Sequence, residues 1–589
     1  MRGCGSAIKS AAISGGSQRL RGGMKMKNGF PVKEMTIGGI DISEYAIIYP
    51  KDGSVSLRKA AELLARMIQK ATGHGLAVMD DTQSAGHEIV LDTTGRDTEK
   101  LKQMRASVQR DGYALLAEGG RLYITGTGAR GTRNGIFAFL EVRLGFRFYT
   151  KDDIVVGSAD KVEIPEGTGE VYSPRFEYRE TYWLPSYGNM ELSSMQRING
   201  KREGDDGINV EYALFVHTLS ILLDEPHQVD YQPCLSDEKV YRKILSNVRK
   251  KLDENPYASI ISVSQNDSYA EGRGCQCEKC RAIDEAEGTP MGSLLTFVNR
   301  IADAIKDDYP NVAVDTLAYR YTRKAPKTIV PADNVIIRLC SVECDCAHPI
   351  SDADIEGNVK FKKDIEEWAR ICKRLYVWDY TTNFPYYLAP FPNLYNIYDN
   401  MQFFKDHHVV GLFEQGNAES PTVEFGELRG YLISRLMWNP DISREEYLGL
   451  MDEFLQDYYG AGWRNVREYI DRTTARAAAN GFELYTRPDK YLAAKDGDEG
   501  EDIAFWNEML ALWDRAVDMA EATAQKNHVR QSRLQVEFYI LYAHFDHQDR
   551  RYEEFYRQLK EFGVKTHCEG GKLPEVTDFS QGPGQWYAR

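Results

Sequence analysis

Carboxylates recur at the ends of short apolar runs in the middle of this chain. The run "YASIISVSQND" ends at Asn266-Asp267, "NVAVDTLAYRY" at Tyr319-Arg320, and "NVIIRLCSVE" at Ser341 to Glu343. "RLYVWDYTT" passes through Asp379-Tyr380, "VVGLFEQGN" closes on Glu414-Gln415, and "EYALFVHTL" carries His217 to the end of an earlier run. If the runs are parallel strands of one barrel, their carboxyl ends converge on a single face, where barrel enzymes do their chemistry. Convergent carboxylates without a phosphate-binding loop or a nucleophile elbow suit glycoside hydrolysis. One carboxyl group, protonated, gives the leaving oxygen its proton. A second, ionised, activates water, attacks the anomeric carbon or steadies a substrate acetamide. Burial and mutual repulsion split the two pKa values. Asp267, Asp379 and Glu414 are the expected catalytic groups. Glu343 reads better as a helix cap or a loop ion pair.

Aromatic residues surround one of these acids. In "VWDYTTNFPYYLAPFPN", Trp378, Tyr380, Phe384, Tyr386 and Tyr387 flank Asp379. They suit stacking on a sugar ring, or simply packing of a long loop.

A second chemistry is written in thiols. Cys275, Cys277 and Cys280 follow Asp267 closely, and Cys340, Cys344, Cys346 and His348 come later. Three thiolates from the first cluster with Cys344 from the second would make a tetrahedral site for structural Zn²⁺. Disulfides between the clusters, or free thiols bracing loops, are the alternatives. No Cys-His arrangement suggests a catalytic thiol, and glycoside hydrolysis requires no cofactor.

These residues need elements to hold them. Residues 171–442 alternate near-continuous apolar runs with helical patterns such as "MGSLLTFVNRIADAIKDDYP" and "FKKDIEEWARICK". Seven or eight such strands argue for an α/β fold with a (β/α)8 TIM barrel as catalytic domain; an open doubly wound sheet is the competitor. Residues 31–170 read as a small α/β domain. There "SLRKAAELLARMIQKATG" is a helix stopping at a glycine, and "GYALLAEGGRLYITGT" is a hairpin turning at Gly119-Gly120. Gly126, Gly128 and Gly131 match G-x-G-x-x-G, but they follow the second arm of that hairpin. A tight strand-to-helix turn is expected, not a dinucleotide site. Residues 443–589 read as helices, with Ser443 and Glu446 as a capping box.

Composition narrows the partners. The net charge of −15 leaves no basic surplus for nucleic acid. No apolar run is long enough to span a membrane. Aromatics at 11% suit a carbohydrate ligand. Residues 1–30 are basic, Gly/Ser-rich and without the apolar core of a signal peptide, which predicts a disordered tail. Oligomeric state is not legible.

The segments "QPCLSDEKV", "SVSQNDSYAEGRGCQCEKC", "LAYRYTRKAP", "VWDYTTNFPYYLAPFPNL", "FEQG" and "LRGYLISRLMWNP" together resemble the bacterial domain-of-unknown-function 4838 family, found largely in carbohydrate-degrading bacteria. The segment "GTGARGTRNGIFAFLEVRLGFRFY" resembles the accessory domain that precedes the barrel in family 20 β-N-acetylhexosaminidases and in α-glucuronidases. The resemblance implies a hexosaminidase-like barrel and an exo-acting glycosidase for a terminal hexosamine or uronic acid. Its rival is a glycan-binding protein on a degenerate barrel. Related proteins are often exported. Hexosaminidases of that class carry an adjacent Asp-Glu pair where this chain has Asn266-Asp267, so the pair used in acetamide-assisted chemistry is absent. The resemblance points to Asp267 as general acid, with Asp379 and Glu414 as base, nucleophile or hydroxyl ligands. His217, Arg179, Asn266, Tyr319, Arg320, Trp378 and Tyr380 complete the expected substrate site, the arginines as forks for a sugar carboxylate.

Overall fold

The computed structural model describes residues 29–200, 209–226, 231–268, 274–546 and 550–587. All but the last two residues of the basic tail lie outside that set. The chain divides into two compact units: residues through Phe148 with Ile154–Pro174, and Tyr149–Asp153 with residues from Arg175 onward.

In the first unit the helix Val55–Thr72 buries Leu57, Leu64 and Ile68 and stops at Gly73, which takes φ 82°. Its six-stranded sheet contains the expected hairpin. Tyr113–Glu118 and Arg121–Gly126 pair antiparallel, turning through Gly119 and Gly120 at φ 64° and 72°, as a tight hairpin requires. Gly126, Gly128 and Gly131 form the strand-to-helix turn. A Cβ on Gly126 would lie 2.4 Å from the Gly131 carbonyl carbon, and one on Gly131 would lie 2.3 Å from the Gly112 oxygen. Close backbone packing accounts for Gly126 and Gly131, and a left-handed backbone, φ 93°, accounts for Gly128.

The second unit is built on a curled parallel sheet. Its strands are β1 (Tyr178–Thr181), β2 (Ile260–Ser262), β3 (Ala313–Ala318), β4 (Val335–Cys340), β5 (Leu375–Tyr380) and β6 (Val409–Gln415). They lie side by side in the order β1-β6-β5-β4-β3-β2, every pair parallel. Strands β3 and β4 are buried at every position, because one face meets the interior of the curl and the other meets helices. Those helices include α1 (Glu238–Glu254), α2 (Glu278–Glu287), α3 (Met291–Ile305), α4 (Glu356–Ile371), α5 (Leu394–Asp406) and α6 (Gly426–Trp438).

The run "EYALFVHTL" is not a regular strand. It meets β2 through an isolated Tyr212–Ile260 bridge, with the Ile260 amide donating to the Glu211 carbonyl at 3.1 Å and the Ser262 amide to the Leu214 carbonyl at 2.9 Å. On the far side the Asn199 amide donates to the Arg179 carbonyl of β1 at 3.0 Å, and the Val210 amide to the Asn199 carbonyl at 2.7 Å.

Inside the curl, Tyr178, Ile260, Ala313, Ile336, Tyr376 and Phe413 pack together. Among them sits a fully buried ion pair, Arg338 Nε to Asp315 Oδ2 at 3.1 Å. The Tyr212 and Ser262 hydroxyls donate to the same carboxylate at 3.2 and 3.1 Å, and the guanidinium lies 5.2 Å from the Tyr178 ring centre. A buried charge needs such partners; here Nε and Nη2 of Arg338 are bonded, while Nη1 has no hydrogen-bond partner among the described residues.

After α6 the chain is helical through Arg444–Tyr459, Trp463–Asn480, Glu499–Met519, Thr523–Ala543 and Arg551–Glu561, and Ser443 with Glu446 forms the expected capping box. One departure follows: Thr566–Cys568 and Gly571–Lys572 make a two-stranded hairpin. No helix is long and apolar enough to cross a membrane among the described residues.

Candidate active site

Strand alternation decides which side chains reach the interior. Successive residues of a strand point to opposite faces. On β5, Tyr376 belongs to the inner cluster and Trp378 packs against it, so Val377 and Asp379 face outward. On β6, Phe413 faces inward and Glu414 outward. Asp379 and Glu414 are register partners, brought together on the helix-facing side of the sheet.

Their surroundings agree. Asp379 accepts a hydrogen bond from the Ser341 hydroxyl and shares a cavity of about 20 Å³ with Cys344, Cys346, Asn396 and Asn400. That volume holds one water molecule; a sugar ring needs hundreds of cubic ångströms. Burial, opposed by hydrogen bonds from Ser341, the Tyr380 amide and Asn400, lifts the Asp379 pKa to about 6. Burial, then the Asp379 charge, holds Glu414 well above the usual carboxylate range. The expectation that both acids act on substrate is corrected by one residue of strand phase.

Arg179 and Asn266 are corrected likewise. Arg179 is fully buried; its guanidinium donates to the Phe176 and Arg197 carbonyls at 2.6 and 2.9 Å and lies 5.3 Å from the Trp438 ring centre on α6. It braces β1 against that helix. The buried Asn266 side chain accepts from the Ser220 amide at 3.0 Å and donates to the Ser220 hydroxyl and the Tyr231 carbonyl at 2.7 and 2.9 Å. Both of its N–H donors are taken and the residue is fully buried, which keeps it from a sugar. Glu343 pairs with Arg323 at 2.6 Å, a loop ion pair as read from sequence. Tyr386 packs on Tyr542 and Tyr587, and Tyr387 is buried; these aromatics pack their loop.

The remaining expected residues do gather at the strand ends. Asp267 is a quarter exposed, with His217 Nε2 3.9 Å from its carboxylate. His217 is oriented by a 3.0 Å contact between its Nδ1 and the Gln265 carbonyl. Its ring meets Tyr319 edge-on at 5.9 Å, and the Tyr319 hydroxyl accepts from Arg320 Nε at 2.9 Å. Among the described residues no other guanidinium nitrogen of Arg320 has a hydrogen-bond partner. His217 and Arg320 both take positive φ, 56° and 50°. Such strain in non-glycine residues persists where the surrounding structure imposes it, and clusters at functional sites. Trp378 stacks on Phe215 and donates from Nε1 to Gln415 at 2.7 Å, and Tyr380 lies against Phe384.

A carboxylate absent from the sequence reading completes the group. Gln415 Nε2 donates to Glu569, at the turn of the late hairpin, at 3.3 Å. The Glu569 amide is anchored on the Phe384 carbonyl at 2.9 Å, and the next amide, Gly570, donates to Glu419 at 3.0 Å. Glu569 is exposed as a residue, yet enough protein surrounds its carboxylate to raise its pKa; the charges of Glu419 and Asp267 raise it further. The signal was present in "THCEGGK", an acid before two glycines between short β-compatible runs.

Of the cysteines, Cys275, Cys277 and Cys280 do converge, but their fourth neighbour is Cys234. Cys344 lies instead in the small cavity beside Asp379. Cys234, which replaces it in the cluster, opens the segment "CLSDEKV" leading into α1.

A known protein shares this architecture. The chain is similar to a family GH115 4-O-methyl-alpha-glucuronidase with specificity for decorated arabinogalactans, at 13% identity and a TM-score of 0.56, over 91% of this chain and 77% of that one. It also aligns with a GH20 beta-N-acetylhexosaminidase from Streptomyces coelicolor A3(2), at 13% identity and a TM-score of 0.39, over 74% of this chain and 94% of that one. The first likeness shows a glycosidase-like fold. Comparison with curated proteins finds no match. Residues 148–471 match the family described as Domain of unknown function (DUF4838), and the chain belongs to that family.

Proposed function

We propose that this protein is an exo-acting glycoside hydrolase whose reaction takes place over the carboxyl ends of the curled sheet. The observation that carries the proposal is the position of Glu569, hydrogen-bonded to Gln415 at the end of β6 and adjoining Glu419 through the Gly570 amide, at the same strand ends as Asp267 beyond β2. The charges of Glu419 and Asp267 also raise the Glu569 pKa. Glu569 is the proton donor, because crowding and like charge keep it protonated to higher pH than a free carboxylate. Asp267, with His217 beside it, is the ionised partner that activates water or attacks the anomeric carbon. Trp378 and Tyr380 offer aromatic surface to the ring. The free fork of Arg320 favours a terminal uronic acid over a neutral sugar. The GH115 neighbour, an alpha-glucuronidase, agrees with that preference at the level of fold alone. We read the sheet as a (β/α)8 barrel in which residues 199–200 and 209–214 stand in for two strands; the hydrogen bonds from Arg179 through Asn199 and Val210 to Ile260 support this.

The test is a panel of aryl glycosides, uronic acids and hexosamines included, with wild type, Asp267→Asn and Glu569→Gln. Turnover by wild type, reduced 10²- to 10⁴-fold in each variant with unchanged thermal unfolding, is expected for an acid–base pair. Absence of turnover on every sugar, with glycan binding unaffected by either substitution, overturns it in favour of a binding protein.

A further inference from the structure

Away from the strand-end carboxylates, one Sγ atom from each of Cys234, Cys275, Cys277 and Cys280 lies within 4.8 Å of the other three. Among the described residues this is the one such grouping of three or more metal-ligating side chains. Four thiolates about 2.3 Å from a tetrahedral Zn²⁺ stand roughly 3.8 Å apart, and Cys234 and Cys277 are 3.7 Å apart. A disulfide would need about 2.05 Å, and all four thiols are free.

The donors around the sulfurs point the same way. The Cys277 amide is directed at Cys275 Sγ at 3.5 Å and the Cys280 amide at Cys277 Sγ at 3.4 Å. The Ser236 hydroxyl lies 3.3 Å from Cys277 Sγ. Cys277 also caps the amino end of α2, where the helix dipole favours negative charge. Such donors spread the charge that four thiolates concentrate on a metal.

We propose that Cys234, Cys275, Cys277 and Cys280 hold one structural Zn²⁺ that staples the loop after β2 to the segment entering α1. The ligand set is closed, with no position left for water, so the metal takes no part in turnover. Its effect reaches the strand end through Gln232, two residues before Cys234. The Gln232 side chain clasps the Asn266 backbone in both directions, accepting from its amide at 3.1 Å and donating to its carbonyl at 2.9 Å. Asp267 is the next residue. The metal assignment is independent of the proposed hydrolase activity.

Metal content of the full chain, purified under reducing conditions, tests it, together with cobalt substitution and X-ray absorption at the zinc edge. Expected are about one zinc per chain, a shell of four sulfurs near 2.3 Å, and the charge-transfer and visible bands of tetrahedral cobalt thiolate after exchange. Zinc is expected to be lost in Cys234→Ser and kept in Cys344→Ser. If Cys234→Ser fails to fold, the wild-type sulfur shell still decides. Absence of zinc and of cobalt bands, iron in place of zinc, disulfides among these four cysteines, or a shell containing nitrogen or oxygen each overturns it.

Discussion

Asp379 and Glu414 are direct register partners on adjacent strands, and both turn their carboxyl groups away from the interior of the curl. Both pKa values stand above those of the unfolded chain, Asp379 at about 6. The folded state therefore keeps protons that the unfolded chain releases. For Asp379 the stability this confers is full below about pH 4 and is lost as pH rises through about 6, and the Glu414 contribution is likewise lost as pH rises. Glu414→Gln is expected to unfold at a higher temperature than wild type near pH 8, to lose that advantage near pH 4, and to turn over substrate within a few-fold of wild type. Thermal unfolding across that pH range reads the first two, and steady-state kinetics the third.

The proposed proton donor has its own pH signature. Glu569 acts protonated, so kcat/KM falls as pH rises through its raised pKa. Glu419→Gln removes one neighbouring negative charge while keeping an acceptor for the Gly570 amide. The alkaline limb of the kcat/KM profile is expected to move to lower pH in this variant, with the acid limb in place. An unmoved alkaline limb would separate Glu569 from the proton transfer.

Arg320→Lys keeps the charge but loses the planar fork. Its KM for an aryl uronide is expected to rise at least about tenfold, roughly one bidentate hydrogen bond, with a much smaller change for a neutral sugar. Equal effects on both would place Arg320 outside carboxylate recognition.

Beneath the site, Arg338→Met strands Asp315 in the interior without its cation. A loss of about 3–5 kcal/mol is expected, measured by urea unfolding. A loss below about 1 kcal/mol would mean that water reaches the carboxylate.

The glycine of "FEQG" answers to a tryptophan. A Cβ on Gly416 would lie 2.2 Å from the Trp183 indole, and that indole is held by a 2.9 Å hydrogen bond to Thr381. Gly416→Ala is expected to cost about 1–3 kcal/mol by overpacking, in the same unfolding assay.

Much of the framework was legible because parallel strands buried on both faces announce themselves by composition. Strands β2 to β6 fall where the apolar runs are. The alternation phase at the strand ends was not legible: a run buried on both sides carries no polar-apolar rhythm to say which way Asp379 points. Asp267, His217, Tyr319 and Arg320 escape that ambiguity because they lie beyond the regular strands. Glu569 was missed because its relation to Asp267 is purely tertiary, and Cys234 because one thiol far from a cluster has no local spacing to betray it. Segment 269–273, between Asp267 and the first thiol, lies outside the described residues.

The late hairpin sets an order of events. Glu569 leaves the ribosome long after β2 and its Asp267, so a growing chain can assemble its sheet and helices well before it owns both members of the proposed pair. Competence arrives last, as a latch supplied by a short turn that docks on the Phe384 carbonyl and Glu419. Any event that nicks or displaces that turn would take Glu569 out of the proposed pair.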